Sequence, residues 1–339
     1  FYNGSGPQMM ALDVGSKRGE GFRWTNVLMR VVHTMGDDPA DLTDNVLSVA
    51  FARGWASFAG MEGSNSTYNF AIDGNANAGG DLSLLVTNGA HVVMPNLSLN
   101  GLGSRRILCA VRGEGSQMTV NGNVRSGCAS TYKSGTNVIE VTDGGRLDLL
   151  DRDKGGILIG NRGEGPRTHR FLVSGSNTEL NAGASMGGME FNGNLDAEFS
   201  DGAQVVLPYS TSFSGYFAGA KNTTTVSGED TSLVLSNANN GGVVLYVGNN
   251  YDATFTMEGG TIRSYAPTNF LSLQIGQNAT ANGTFRMNGG KLVCGDGDVK
   301  GANTSGHIYI GYTGSALFEV NGGEVQVFDK IILGINAGI

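Results

Sequence analysis

The chain has 339 residues, 55 of them glycine and 6 proline, and 30 acidic against 22 basic side chains give it a net charge of −8. Glycine without a three-residue period excludes collagen, 40% hydrophobic residues exclude global disorder, and the absence of a basic stripe excludes a dedicated nucleic-acid binder. No apolar run reaches the roughly 18 to 20 residues of a membrane helix, and with charged residues at only 15% the surface must be carried by Asn, Ser, Thr and Gly.

The chain begins at Phe1 with no signal-peptide pattern, so it is expected to be a processed or excerpted piece. "ALDVGSKRGEG" (Ala11 to Gly21) has the same shape as "ILCAVRGEG" (Ile107 to Gly115) and "GILIGNRGEG" (Gly156 to Gly165). Residues 1–85 are therefore expected to be degenerate coils of the same solenoid that runs regularly over 86–339. The least regular stretch is Asp37 to Ala56, where "DDPADLTDNVL" predicts a short helix with Asp38 as cap and Pro39 at its first position. Trp24 and Trp55 are able to stack on sugar, but two tryptophans fit a core or a covered end as well. "YNFAIDGNANAGG" (Tyr68 to Gly80) reads as a strand running into glycine. Asp73, Asn75 and Asn77 have the spacing of a calcium loop, yet Ala78 and Leu84 stand where an EF-hand needs glycine and glutamate. An improvised calcium site there stays open as an alternative.

A repeated phrase organises the rest. "TFTMEGGTI" (Thr254 to Ile262), "TFRMNGGKL" (Thr284 to Leu292) and "LFEVNGGEV" (Leu317 to Val325) alternate apolar and polar residues, turn at a double glycine and alternate again. An apolar residue before a small turn marks each copy, at 86, 120, 141, 173, 199, 226, 257, 287 and 320. The steps range from 21 to 34 residues, with a mean near 29. A second marker is a short strand ending at glycine, as in Ile157 to Gly160, Leu245 to Gly248, Leu273 to Gly276, Tyr309 to Gly311 and Ile332 to Gly334. Period-two alternation excludes helical repeats, and 29 residues are too few for a four-stranded propeller blade. Three short strands joined at glycine corners predict an all-β, right-handed parallel β-helix (a solenoid) with about 29 residues per three-strand coil. In that register Met287, Phe285, Ile275, Val320, Phe318 and Leu333 face inward, and Arg286, Lys291 and Glu319 face solvent.

"IGQNATANGTFRMNGGKL" (Ile275 to Leu292) and "IGNRGEGPRTHRFLVSGSNTEL" (Ile159 to Leu180) resemble the repeat associated with type V secretion and PEP-CTERM proteins, found in autotransporter-like passenger regions. The resemblance covers about residues 107–339 well and 1–106 weakly. It rests on glycine and strand patterns, which specify architecture rather than activity. It implies a parallel β-helix exported to the bacterial surface.

Parallel β-helices include polysaccharide lyases and hydrolases, whose sites need converging carboxylates with Arg or Lys alongside. The best such cluster is "DLLDRDK", with Asp148, Asp151, Arg152, Asp153 and Lys154, where a spacing of three sends Asp148 and Asp151 to opposite faces and reads as a solvated corner. "CGDGD" (Cys294 to Asp298) lacks the tandem repetition of calcium-binding nonapeptides and reads as a polar turn. The RGEG copies (Arg18 to Gly21, Arg112 to Gly115, Arg162 to Gly165) read as tight corners, since a phosphate cradle would need a helix after the glycines. His33, His91, His169 and His307 lie in separate coils without metal-ligand spacing. Cys109, Cys128 and Cys294 are too few for a disulfide framework or zinc site and read as buried hydrophobes. Asn65-Ser66-Thr67 and Asn278-Ala279-Thr280 satisfy the glycosylation triplet, a weak signal in so Asn- and Thr-rich a chain.

The expected function is an extracellular or cell-surface structural or adhesive rod, a section of a longer fibre or passenger region. No catalytic, cofactor-binding or metal residue is expected, and no cofactor. The alternative is a carbohydrate-active β-helix enzyme, a polysaccharide lyase or hydrolase. Expected partners are neighbouring coils or subunits end to end, and surface glycans or a partner cell surface, with no nucleic acid and no membrane span in this segment. Because "IILGINAGI" stops where a polar loop should feed another strand, coils are expected to continue beyond Ile339. About 11 coils at roughly 4.8 Å each make a section of roughly 50 Å.

Overall fold

The computed structural model describes residues 22–25, 29–34, 46–51, 55–58, 70–73, 81–94, 96–100, 106–127, 135–151, 156–160, 166–185, 187–237, 242–264, 271–295 and 306–334, with side chains from Ser83 onward except at Ser98 and Asn100. Among these residues every regular element is a strand. The strands form three sheets of 11, 10 and 11 members, and neighbours within a sheet are almost always three apart in chain order. The chain therefore visits a first, a second and a third sheet in turn and returns one strand further along, which is a parallel β-helix. The first sheet runs from Met29–Thr34 to Ser315–Val320, the second from Phe22–Thr25 to Glu324–Val327, and the third from Phe70–Asp73 to Lys330–Leu333. The expected assignment holds: the first marker lies in the first sheet, the stretch after the double glycine in the second, and the strand ending at glycine in the third.

One marker is corrected. Val120 lies in the second sheet, between Met94 and Leu149. The first-sheet column runs Val86, Val111, Val141, Val173, Phe199, Val226, Met257, Met287, Val320. With Val111 in place the steps tighten to between 25 and 33 residues by subtraction of those positions. "VNGNV" misleads because Asn121 to Asn123 also make a turn after a strand, but the turn leads from the second sheet to the third. For the same reason Arg106–Arg112 and Ile157–Gly160, read as copies of one another, belong to different sheets.

A second correction concerns the N-terminal portion. Coils of the common kind begin at Val46–Phe51, which pairs in parallel with Asp81–Thr87. Before it, Met29–Thr34 runs antiparallel to Val46–Phe51, and Phe22–Thr25 antiparallel to Trp55–Phe58. Only 11 residues separate Thr34 from Val46, and a parallel return needs a crossover of a dozen or more. So short a connection sends the chain straight back. The helix predicted from Asp38 lies outside the described residues, except that Val46 and Leu47 are strand.

Inside the coils, side chains stack in columns. In the first sheet one column reads Leu84, Cys109, Ile139, Phe171, Ala197, Thr224, Phe255, Phe285, Phe318. The third sheet supplies Leu99, Ser126, Ile159, Phe191, Phe213, Val247, Ile275, Ile310, Leu333. Where the first column drops to Ala197 and Thr224, the third sheet puts in Phe191 and Phe213, whose rings stack 4.4 Å apart at 10°. Where the first column returns to Phe255 and Phe285, stacked 5.2 Å apart at 5°, the third sheet narrows to Val247 and Ile275. The rings of the third sheet thus stand beside small residues on the first-sheet strands that follow them, which suits close packing. Phe213 bridges the two stacks edge-on to Phe255 at 5.3 Å.

The corners carry the glycines. Gly290 ends the double-glycine turn at φ +80°, and a Cβ there would sit 2.5 Å from the Gly260 carbonyl oxygen of the coil before. Neither the angle nor the space admits another residue. At other corners a buried hydroxyl ties adjacent coils. Thr178 Oγ1 accepts the Gly144 N–H at 3.0 Å and donates to the Ser174 carbonyl, and Thr231 does the same between Gly202 and Ser227.

Met287, Phe285 and Ile275 are fully buried, as the register requires. Phe318 is only partly buried, and Val320 and Leu333 are 47% and 72% exposed, which corrects the expectation of burial. They hold inward columns, but no described coil stacks on the far side of theirs. Arg286, Glu319 and Lys291 face outward and are half-exposed. Thr224 tests the column argument, because its buried Oγ1 has no hydrogen-bond partner. Thr224→Val is expected to raise unfolding stability by about 1 kcal/mol by removing an unmatched hydroxyl, whereas Phe213→Ala should cost about 3 to 5 kcal/mol. Chemical denaturation of both variants measures this, and a destabilised Thr224→Val would refute it.

Candidate functional site

On the outer faces, charge is spent between coils. Arg146 pairs with Glu179 at 2.8 Å, Arg286 with Glu319 at 2.6 Å and Lys291 with Glu324 at 3.3 Å, each across a direct strand partnership. Arg112 reaches Glu140 at 2.7 Å and Arg170 reaches Glu198 at 3.3 Å on the diagonal. Solvent-exposed pairs of this kind contribute little energy each. They favour one register, because a slip would set like charges opposite.

The strongest sequence candidate, Asp148 with Asp151, is not a solvated corner. Asp148 is 5% exposed and Asp151 fully buried. Asp148 points outward from Arg146–Leu149 but is covered, accepting from Gln117 Nε2 at 2.7 Å and from Arg146. Asp151 lies past the strand end at φ +41°. Its carboxylate accepts the Gly156 N–H at 3.1 Å, the Ser185 hydroxyl at 2.8 Å and the Gly187 N–H at 3.2 Å. Ser185 and Gly187 belong to the next coil, so Asp151 clamps two coils. A Cβ on Gly187 would meet Asp151 Oδ2 at 2.6 Å, and glycine is what lets the backbone close on the carboxylate. The two aspartates do not converge on a common space. Arg152, Asp153 and Lys154 lie outside the described residues.

The histidines separate by environment. His91 lies on the outer face of the second sheet. His307 Nδ1 is 3.1 Å from Asp329 Oδ2. His169, 2% exposed, holds an inward column between Asn137 and Leu195. Neither of its ring nitrogens has a hydrogen-bond partner. Burial, and then the nearby Arg167 guanidinium, push its pKa from the ordinary 6.5 down to about 3. Among the described residues, no three His, Cys, Asp or Glu side chains come together as metal ligands would.

The remaining motifs place as follows. Arg112 to Gly115 is a corner, with Gly113 and Gly115 at φ +88° and +74°. The other two RGEG copies, Cys128, Asn65 to Thr67, Asn75, Asn77, Ala78 and residues 296–298 lie outside the described residues. Leu84 is a core residue of Asp81–Thr87 and turns inward. Cys109 and Cys294 are free and buried, and burial pushes each thiol up to about 12, which suits small hydrophobes. Trp24 and Trp55 stand on paired strands, their side chains outside the description. Asn278 is exposed and donates to Asn250 Oδ1 at 2.8 Å, a contact between successive corners.

Inspection of single motifs misses a tyrosine-lined face on the outside of the third sheet. One outward column runs Ser212, Tyr246, Gln274, Tyr309. Tyr312 lies 6.1 Å from Tyr309, and His307 5.5 Å from it on the other side. Tyr209, 36% exposed, precedes the Ser210–Ser214 strand of this sheet. The phenols of Tyr209 and Tyr312 and partial burial raise the Tyr246 pKa, burial being the larger cause. The signal was present in the repeat: Tyr246, Gln274 and Tyr309 each stand two residues before the strand-ending glycine.

Two outcomes follow. Asp151→Ala is expected to destabilise the fold by on the order of 3 kcal/mol, because it leaves buried N–H groups unmatched, and an unchanged denaturation midpoint would remove Asp151 from its role as a clamp. For His169, the folded pKa lies below the unfolded one, so its contribution is whole above pH 6.5 and is lost as pH falls toward 3. The slope is at most about 1.4 kcal/mol per pH unit. His169→Leu, the residue that its column neighbour Leu195 carries, should flatten the acid limb of a stability-versus-pH curve, and an unaltered limb would contradict the assignment. Comparison with known families, curated proteins and solved structures finds no match to this chain.

Proposed function

We propose that the chain is a section of an extracellular or cell-surface β-solenoid rod, structural or adhesive, of the kind carried in the passenger regions that its repeat resembles. The observation that carries the reading is where the polar side chains go. Between Arg112 and Glu324 five outward ion pairs join successive coils, and the buried carboxylate Asp151 binds backbone N–H groups. Such a distribution supports the rod and leaves little chemistry for a reacting substrate. Val320, Ile331 and Leu333, inward or edge positions 47%, 51% and 72% exposed, support stacking on a further coil, supplied by a longer polypeptide or by a neighbouring subunit.

One observation favours the second reading, a polysaccharide-acting enzyme. Asp148 and Glu179 come from successive coils of one face and share Arg146. The burial of Asp148 weighs against it, since a catalytic carboxyl must reach a substrate oxygen. The expected outcome is that the protein releases no reducing sugar or unsaturated product from neutral or acidic polysaccharides over hours. Sugar release that disappears in Glu179→Gln, with the fold retained by circular dichroism, would replace the rod by the enzyme. Protease shaving of intact cells, with loss of antibody labelling, checks the surface location.

A further inference from the structure

We propose that the outer face of the third sheet between Tyr209 and Tyr312 is a binding strip for an extended, neutral polysaccharide chain lying along the rod axis. The inference rests on the reading of the rod as an extracellular scaffold and names what that scaffold would hold.

The strip is built from rings and amides. Tyr246, Gln274 and Tyr309 hold one outward column on three successive strands, so the two rings stand two sheet spacings apart, about 9.6 Å. Tyr209, three residues before Ser212, and Tyr312, three residues after Tyr309, flank the column on its two sides, and both phenols act on Tyr246. Tyrosines presented along a β-sheet offer flat apolar faces with polar tips, which suits the C–H faces of pyranose rings and their edge hydroxyls. Two sheet spacings match the length over which an extended β-linked chain repeats every second sugar. Between the rings, Gln274 brings an amide whose side-chain oxygen is buried and lacks any protein partner. Rotation about its broad terminal torsion turns that oxygen outward, where a sugar hydroxyl supplies the missing donor. Gln277, at the corner after the same strand, has a second unmatched buried amide oxygen.

Charge selects among glycans. The chain carries a net −8, and Glu190 lies in the same outward column one strand before Ser212. Among the described residues the cations near the strip are few: Lys330 faces Asp329 at 3.8 Å, and His307 faces the same carboxylate. A polyanion would meet repulsion with little to offset it. A neutral chain meets rings, amides and phenolic hydroxyls. A protein partner would also use tyrosines, but Tyr246, Gln274 and Tyr309 in single file at the ladder spacing fit a linear ligand better than a globular one.

The test is binding of the whole chain to cellohexaose, xylohexaose, mannohexaose and chitohexaose by calorimetry, with oligogalacturonate as the anionic control. At least one neutral hexasaccharide is expected to bind in the micromolar-to-millimolar range, and Tyr246→Ala with Tyr309→Ala to weaken it tenfold or more. Gln274→Ala should weaken binding severalfold. Tyr246→Phe with Tyr309→Phe should retain most of it, which separates ring stacking from hydroxyl contacts. Unchanged thermal melting of each variant shows that the rod survives. Absence of binding to every neutral hexasaccharide, equal binding by the double alanine variant, or preference for oligogalacturonate would each overturn the strip. Any of these leaves the rod standing, whereas sugar release in the polysaccharide assay would overturn the rod and not the strip.

Discussion

The spacing of the backbone ladder governs everything else in this molecule. Parallel strands in neighbouring coils lie about 4.8 Å apart, so each inward side chain has its neighbours above and below at a distance that it cannot change. A column therefore favours shapes that stack at that pitch, and a run of large rings in one column is set against smaller residues in the other. The exchange of Ala197 and Thr224 against Phe191 and Phe213, then of Phe255 and Phe285 against Val247 and Ile275, is that constraint written in residues. A buried aromatic pair of this kind adds roughly 0.5 to 1.5 kcal/mol beyond the area it buries.

The same pitch shapes the corners and the outer faces. Corners must lie one on another with backbone against backbone, which is why a Cβ at Gly290 would meet a carbonyl oxygen and why Gly187 can approach Asp151. At several glycine corners a hydroxyl or a carboxylate also crosses the gap, as Thr178, Thr231 and Asp151 do. Outward residues meet their counterparts in the next coil at the same distance, so opposite charges there can pair between coils, as Arg286 and Glu319 do. Polar chemistry that in a compact enzyme would gather around a cleft is spread here along an axis. A linear ligand, or another coil, is the partner such geometry accepts most readily.

Interior polarity marks where the stacking rule is loosest. His169 and Thr224 occupy inward columns without hydrogen-bond partners, Thr224 between Ala197 and Phe255 and His169 between Asn137 and Leu195. Such positions cost stability in a region where coil-to-coil packing is otherwise complete, and a rod of many coils can carry a few of them because the loss stays local to adjacent coils. Asn222, in the column of His169, is matched on one side only: its amide nitrogen donates to the carbonyls of Phe191 and Ser214, while its Oδ1 is buried without a partner.

Periodicity alone determined the class of fold, the three strands per coil and the sheet to which nearly every marker belongs. Alternation of period two and the recurrence of glycine are local, backbone-scale signals that repeat some eight times, and repetition averages out the exceptions. The inward and outward facing of Met287, Phe285, Arg286 and Lys291 came with them. Tertiary structure decided the rest. It showed that Val111 rather than Val120 holds the column, because two different turns share one sequence signature. It turned Phe22–Thr25 and Met29–Thr34 back on the following strands, because chain direction depends on how far a connection must travel. It left Val320 and Leu333 exposed, since burial depends on whether a coil stands above and not on the residue itself. It moved Asp148 and Asp151 out of solvent, and it gathered tyrosines from separate coils onto one face. Each of these depends on which residues, some thirty positions apart, come to lie one ladder spacing from each other, and a short stretch of sequence does not contain that distance.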